Sequence, residues 1–342
     1  MSKLLPIATG AAIAAVLGGL CAAYPQDRSQ DQATFHVKVE MVVLSFTVTD
    51  KKGRYVNALK PGDFRVYEDN IREQIATFAE GNRAPVRVLA DGKTMPLPAP
   101  VSQPSNGAPN PNVVGLRPDT MGANVFILFD TSNYMFRGFV YASDAIADFI
   151  RGLDRADSVA VYTYSRNLDR TALLERNREA AITGLRKAVA GDDSALYNCL
   201  LLTLRDASRV PGRKVVIVFS NGPDNASVVS PEDVRAVAED EGIPIYVIST
   251  SEVTKDPISS KTFRRLSKNT GGKSYFAKTW QKQVEAFESI REDLGNSYTL
   301  TYYPKPNPNE GFRHIHIDLT LPHAKRYRIR ARPGYRPQRT FE

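Results

Sequence analysis

The sequence predicts an α/β protein: a doubly wound, mostly parallel sheet flanked by an antiparallel β domain built from N- and C-terminal segments. Three observations point there. Residues 124–294 alternate near-continuous apolar runs (NVFILFD, KVVIVFS, IPIYVIST) with helical stripes, the pattern of parallel strands covered on both faces. Residues 35–85 and 295–337 instead alternate apolar and polar residues with period two, as half-buried antiparallel strands do. Neither β segment has enough strands to close a sandwich alone, so each is expected to complete the other around an inserted α/β unit.

The chain opens on MSKLLPIATGAAIAAVLGGLCAA, in which Lys3 precedes an apolar run to Leu20 and then small residues. These are the features of a secretory leader over residues 1–23, ending at Ala23. Cys21 follows Leu20 rather than a small residue, which argues against a lipid anchor. Residues 4–23 are also about long enough to span a bilayer, so an uncleaved N-terminal membrane anchor is the alternative. Both readings place the remainder outside the cytoplasm, secreted or in the periplasm or cell envelope. With the leader removed, Cys199 is the single remaining cysteine, so the fold rests on its core without a disulfide. Its setting, LYNCLLLTLRDA, is a helical apolar pattern that predicts a buried structural thiol.

The first β region, 35–85, contains FHVKVEMVVLSFTVTD, a turn at Asp50-Lys51-Lys52-Gly53, then DFRVYEDN and REQIATFAE. Residues 86–123 are dominated by Pro, Asn, Gly and Ser and read as a linker that buries little. In the α/β unit, NVFILFD is a buried strand and FVYASDAIADFIRGL a one-striped helix. SVAVYTYS is the next strand, and REAAITGLRKAVA and LYNCLLLTLRDA are helices. KVVIVFS leads into the helix PEDVRAVAEDEG, where Pro231 suits a first turn. IPIYVIST, the glycine-closed helix KTFRRLSKNTGG, the short strand KSYFA and a helix over 281–294 finish the unit. SYTLTYYP, FRHIHIDLTLP and KRYRIRARPGY are the closing strands. In the last of these, strict alternation points Arg326, Arg328, Arg330 and Arg332 one way, and Tyr327, Ile329 and Ala331 the other. That predicts a solvated basic face; its sharper form is contact with an anionic envelope surface. The net charge of +8 is compatible with such a partner without identifying it.

In open α/β sheets ligands bind beyond the carboxyl ends of the strands. Three loops meet that description: Asp130-Thr131-Ser132-Asn133-Tyr134 after the first strand, Asp192-Asp193-Ser194-Ala195-Leu196-Tyr197 opening a helix, and Ser220-Asn221-Gly222-Pro223-Asp224 after KVVIVFS. In order and spacing they resemble the loops of a von Willebrand factor A domain over residues 124 to about 290. That resemblance implies an Asp-x-Ser-x-Ser motif, a later Thr and a still later Asp holding a divalent cation, whose open position takes a partner's carboxylate. Asp130 and Ser132 match the first motif, while Tyr134 replaces its second serine. Ser194 stands at the Thr position and keeps an oxygen, and Asn221 stands at the late Asp and loses a charge. A hard cation such as Mg²⁺ (or Mn²⁺ or Ca²⁺) is suited by hydroxyl and carboxylate oxygens, so the resemblance implies a degenerate metal site at Asp130, Ser132, Ser194 and Asn221. Asn133, Tyr134, Asp192, Asp193 and Asp224 complete the expected partner-binding edge. The flanks VTDKKGRYVNALKPGDFRVYEDN, LSKNTGGKSYF and SYTLTYYPKPN…RIRARPGY look like secreted bacterial proteins of the VWFA-related, Acidobacteria type. The implied function is a non-catalytic, adhesion-type module whose partner is a protein.

Enzymatic readings find less support. Asp130 also opens an Asp-x-Asp-x-Thr phosphotransfer motif, in which the aspartate is a nucleophile, but Ser132 stands where the second carboxylate is needed. A phosphatase-like hydrolase using Asp130 is therefore the alternative. No Gly-rich phosphate cradle and no Gly-x-Ser-x-Gly elbow is present. His314 and His316 share one strand face without a visible third ligand, and read as solvent-facing. Nucleic acid is not expected as a partner outside the cytoplasm.

Overall fold

The computed structural model describes residues 41–97 and 122–337. The leader at 1–23, residues 35–40 of the first predicted strand and residues 98–121 of the linker lie outside them. In chain order the N-terminal β region forms β1 (Val42–Asp50), β2 (Phe64–Glu68), β3 (Ile71–Glu73), β4 (Ile75–Glu80), β5 (Val86–Val88) and β6 (Thr94–Pro96). The α/β unit follows with β7 (Ala123–Asp130), α1 (Phe139–Arg151), β8 (Ser158–Tyr164), β9 (Leu168–Glu175), α2 (Arg178–Arg186) and α3 (Leu196–Ser208). It continues through β10 (Arg213–Ser220), α4 (Pro231–Asp240), β11 (Ile245–Ser249), α5 (Pro257–Thr270), β12 (Ser274–Phe276) and α6 (Trp280–Gly295). The closing strands are β13 (Ser297–Tyr302), β14 (Arg313–Leu319), β15 (Tyr327–Arg330) and β16 (Gly334–Tyr335).

The α/β sheet runs β12-β11-β10-β7-β8-β9, parallel throughout except for β9, which pairs antiparallel with β8. The strand order reverses between β7 and β10, and this doubly wound arrangement puts a crevice at their carboxyl ends. Helices cover both faces. Ile127 and Phe129 pack with α1, α2 and α6 on one side, and Phe126 and Leu128 with α3, α4 and α5 on the other. All four are at most 1% exposed, which is why this strand shows no alternation. Each such side chain contributes about 1.5–3 kcal/mol on burial. The helix ends follow the sequence signals: Ser230 and Asp233 form a capping box around Pro231. Gly271 closes α5 at φ 85°, a left-handed conformation that favours glycine.

The outer β segments do complete one another. β1 pairs with β13 and β15, β4 with β13, and β2 with β14. The larger sheet, β15-β1-β13-β4-β5-β6, packs on the smaller, β16-β14-β2-β3, around Phe46, Phe64, Phe78 and Tyr298. From α6 the chain passes through Asn296 directly into β13, inside the larger sheet.

The fold departs from the sequence reading in three places. β5 and β6 lie within the segment read as a linker, where they extend the larger sheet beyond β4. β9 was not foreseen: as an edge strand it leaves most of LDRTALLE to solvent, so its apolar pattern is weak. The third departure is the basic strand. Arg326 ends a 3-10 turn rather than standing in a strand, and after Arg330 the chain crosses to the smaller sheet as β16. Arg328 is exposed, but Arg330 and Arg332 are not part of a solvated face. The Arg330 guanidinium meets Asp293 at 2.7 Å and donates to Gly271 O at 2.8 Å. Arg332, 5% exposed, donates to Val43 O and Glu239 O. Period two separates two faces of a strand but does not say that both are covered. Here one packs in the sandwich and the other against the α/β unit, leaving only Arg326 and Arg328 of the four for an anionic surface.

Candidate functional site

The three predicted loops meet where β7 and β10 end. Asp130 is the last residue of β7 and Ser220 the last of β10, and Asp130 stands in register with Tyr164, the last residue of β8. A buried oxygen cluster results. Ser132 N–H donates to Asp130 Oδ1 at 2.9 Å, and Ser220 Oγ donates to Asp130 Oδ2 at 2.8 Å. Ser220 Oγ accepts in turn from Tyr164 Oη at 3.0 Å and from Gly222 N–H at 3.1 Å. Gly222 sits at φ 123°, and a Cβ there would meet Asp256 and Ser259, so the loop's turn back toward Ser220 needs glycine. Asp130, Tyr164, Ser194 and Ser220 are each 0% exposed and Ser132 1%. Burial pushes the Asp130 carboxyl above the usual carboxylate range, against the downward pull of the bonds from Ser132 and Ser220. Burial, and then the nearby Asp130, raises the Tyr164 phenol.

Of the residues singled out in the sequence, Asp130 and Ser132 are joined directly, and Ser194 lies beside Tyr164. Tyr164 and Ser220 were missed. Tyr164 is one apolar-looking letter of the strand SVAVYTYS, and Ser220 precedes the motif position held by Asn221. Asn221 is drawn elsewhere: its amide donates to Tyr134 O at 2.7 Å and its carbonyl accepts from Thr250 at 3.2 Å. The two departures from the family motif are therefore joined, Asn221 holding the backbone of Tyr134. Of the nearby carboxylates, Asp224 accepts from Tyr197 N–H and Ser227 N–H, capping α3 and its own loop. Asp193 pairs with Arg166 at 3.2 Å and accepts from Asn225. Asp192 is exposed and accepts from Asn133 through both its backbone and its side chain.

A divalent cation does not fit this set. Ser132 Oγ and Ser194 Oγ are buried without a partner, and hydroxyls of that kind are the ligands such an ion uses. The charge is what is missing. The set holds a single carboxyl, Asp130, and the late position carries the neutral Asn221, whose amide donates to Tyr134 O and whose carbonyl accepts from Thr250. Among the described residues no three His, Cys, Asp or Glu side chains come together as a metal cluster. His314 and His316 are exposed as predicted, and His316 pairs with Asp318 at 2.8 Å. Cys199 is buried, and burial pushes its thiol up to about 12.

Several large apolar side chains are exposed in the segments that follow strands of the α/β sheet. Tyr134, Val140, Tyr141, Val228, Ile258 and Trp280 are all large, exposed side chains, and each lies in a loop or first helical turn.

No family model matches the chain, and no curated protein matches it. Solved structures do. The chain is similar to the conserved hypothetical protein BatB from Bacteroides thetaiotaomicron, at 16% identity over 51% of this chain and 97% of that one, with a TM-score of 0.43. A von Willebrand factor type A protein from Catenulispora acidiphila gives 13% identity over 73% of this chain and 71% of that one, TM-score 0.43. The vWF domain of the type V pili tip protein Mfa5 from Porphyromonas gingivalis gives 9% identity over 55% and 98%, TM-score 0.44. Among the described residues no helix is long and apolar enough to cross a membrane.

Proposed function

We propose that this chain is a non-catalytic, extracytoplasmic interaction module that takes a protein partner at the carboxyl edge of its von Willebrand A-like unit, without a bridging cation. The observation that carries this reading is the pairing of exposed aromatic side chains with a buried polar cluster. Tyr134, four residues after Asp130, is 41% exposed and Trp280 43%, whereas Asp130 is 0% exposed. Adjacent exposed aromatic groups, as Tyr141 and Trp280 are, suit an interaction surface. The leader read at residues 1–23 supports the extracytoplasmic placement. The burial of Asp130, 0% exposed, also counts against the hydrolase alternative, because a nucleophile must reach its substrate.

The test is site-specific photo-crosslinking in the native envelope from position 134, with position 95, an exposed apolar residue of the sandwich, as control. Adducts from 134 but not 95, unchanged by a chelator, support the reading. Equal adducts from both positions, or their loss on chelation, contradict it.

A further inference from the structure

We infer that the groove between the exposed stripe of α1 and the first turn of α6 receives a cationic side chain, lysine or arginine, from the partner; this rests on the carboxyl-edge reading and specifies its partner chemistry. The two helices pack side by side through Phe149 and Phe287, ring centroids 4.9 Å apart. Beside that contact Tyr141, Asp144, Asp148 and Arg151 form one exposed stripe of α1, and with Trp280 and Gln281 of α6 they line a groove of about 500 Å³. Tyr141 is 63% exposed and Trp280 43%. Two aromatic rings beside carboxylates suit a cation held by its charge and by the ring faces.

The charge balance of the groove is negative although the whole chain is +8. Asp148 is paired with Arg151 at 2.7 Å, while Asp144 makes no ion pair among the described residues. Asp144 is thus the carboxylate left for an incoming cation. The partial positive charge of a helix N-terminus disfavours a cation at the first residues of α1 and α6. It places the ammonium or guanidinium a turn further down, next to Asp144, with its alkyl stem against Tyr141 and Trp280.

Trp280 is the only tryptophan in the chain, so the groove carries its own reporter. The experiment titrates the intact protein with end-blocked trilysine and, separately, end-blocked triglutamate, following tryptophan emission. The expected result is a saturable change with trilysine and none with triglutamate. Asp144→Asn weakens the trilysine response by about three- to fivefold, and Tyr141→Ala weakens it comparably, with unchanged far-UV circular dichroism. Absence of a saturable trilysine response, an equal response to triglutamate, or an unaltered response in Asp144→Asn would each overturn the assignment. Crosslinking from position 134 is independent of these titrations. If it succeeds while trilysine fails, the groove assignment falls and the edge reading stands; if it fails while trilysine binds in the predicted manner, the edge reading falls and the groove remains.

Discussion

Ser220 donates its hydroxyl hydrogen to Asp130 Oδ2 at 2.8 Å, joining the ends of β10 and β7 where the strand order of the sheet reverses. The Asp130 carboxyl is thereby hydrogen-bonded by the protein itself. Replacing it with Asp130→Ala strands the Ser132 N–H and the Ser220 hydroxyl as buried donors. The expected cost is about 1–3 kcal/mol in chemical denaturation.

Asp130→Asn separates charge from shape. The folded-state pKa of Asp130 is raised, so the folded protein holds this proton more tightly than the unfolded chain. Its contribution to stability is complete below the unfolded carboxylate value of about 3.9, and is lost as pH rises through the higher folded pKa. The Asn variant lacks that titration. The melting temperature of wild type minus variant is therefore expected to fall as pH rises from about 4, and a flat difference would contradict the raised pKa.

Tyr164→Phe keeps the ring and deletes the donor to Ser220, whose oxygen still accepts from Gly222 N–H. A loss of about 1 kcal/mol is expected, since one partner of the hydroxyl survives. Urea denaturation of the two proteins measures it directly.

The buried arginines give the sharpest contrast in stability. Arg332→Ala leaves the carbonyls of Val43 and Glu239 without their donor, for an expected loss of about 2–4 kcal/mol. Arg328→Gln, on the same face but at an exposed position, is expected within about 0.5 kcal/mol of wild type. The same denaturation curves distinguish a strand covered on both sides from the solvated basic face that its alternation suggests.

These arginines also mark how far the sequence could be read. The apolar runs of β7, β10 and β11 are buried on both sides, so they declared a parallel sheet, and the period-two flanks declared a divided sandwich. Alternation along KRYRIRARPGY correctly separated Ile329 from Arg330. It carried no sign that Arg330 would meet Asp293 across a second interface. β9 was invisible because an edge strand buries little, and β5 and β6 because they are only three residues each. At the site, Asp130, Ser132 and Ser194 were legible through motif spacing. Tyr164 was not, since only the register of β8 beside β7 brings its phenol near Asp130.

Cys199 tests the buried face of α3. With its thiol raised to about 12 by burial, it is expected to resist an aromatic disulfide reagent at neutral pH and to react stoichiometrically once the protein is unfolded in guanidinium. Rapid reaction of the folded protein would contradict the packing described for that helix.

The most direct test of cation-independent binding is calorimetric titration of the intact protein with Mg²⁺, Mn²⁺ and Ca²⁺, comparing wild type with Asp130→Asn. The geometry around Asp130 predicts no saturable heat that differs between the two for any of the three ions. Saturable binding to wild type that disappears in Asp130→Asn would contradict it, and would restore a metal to the carboxyl edge.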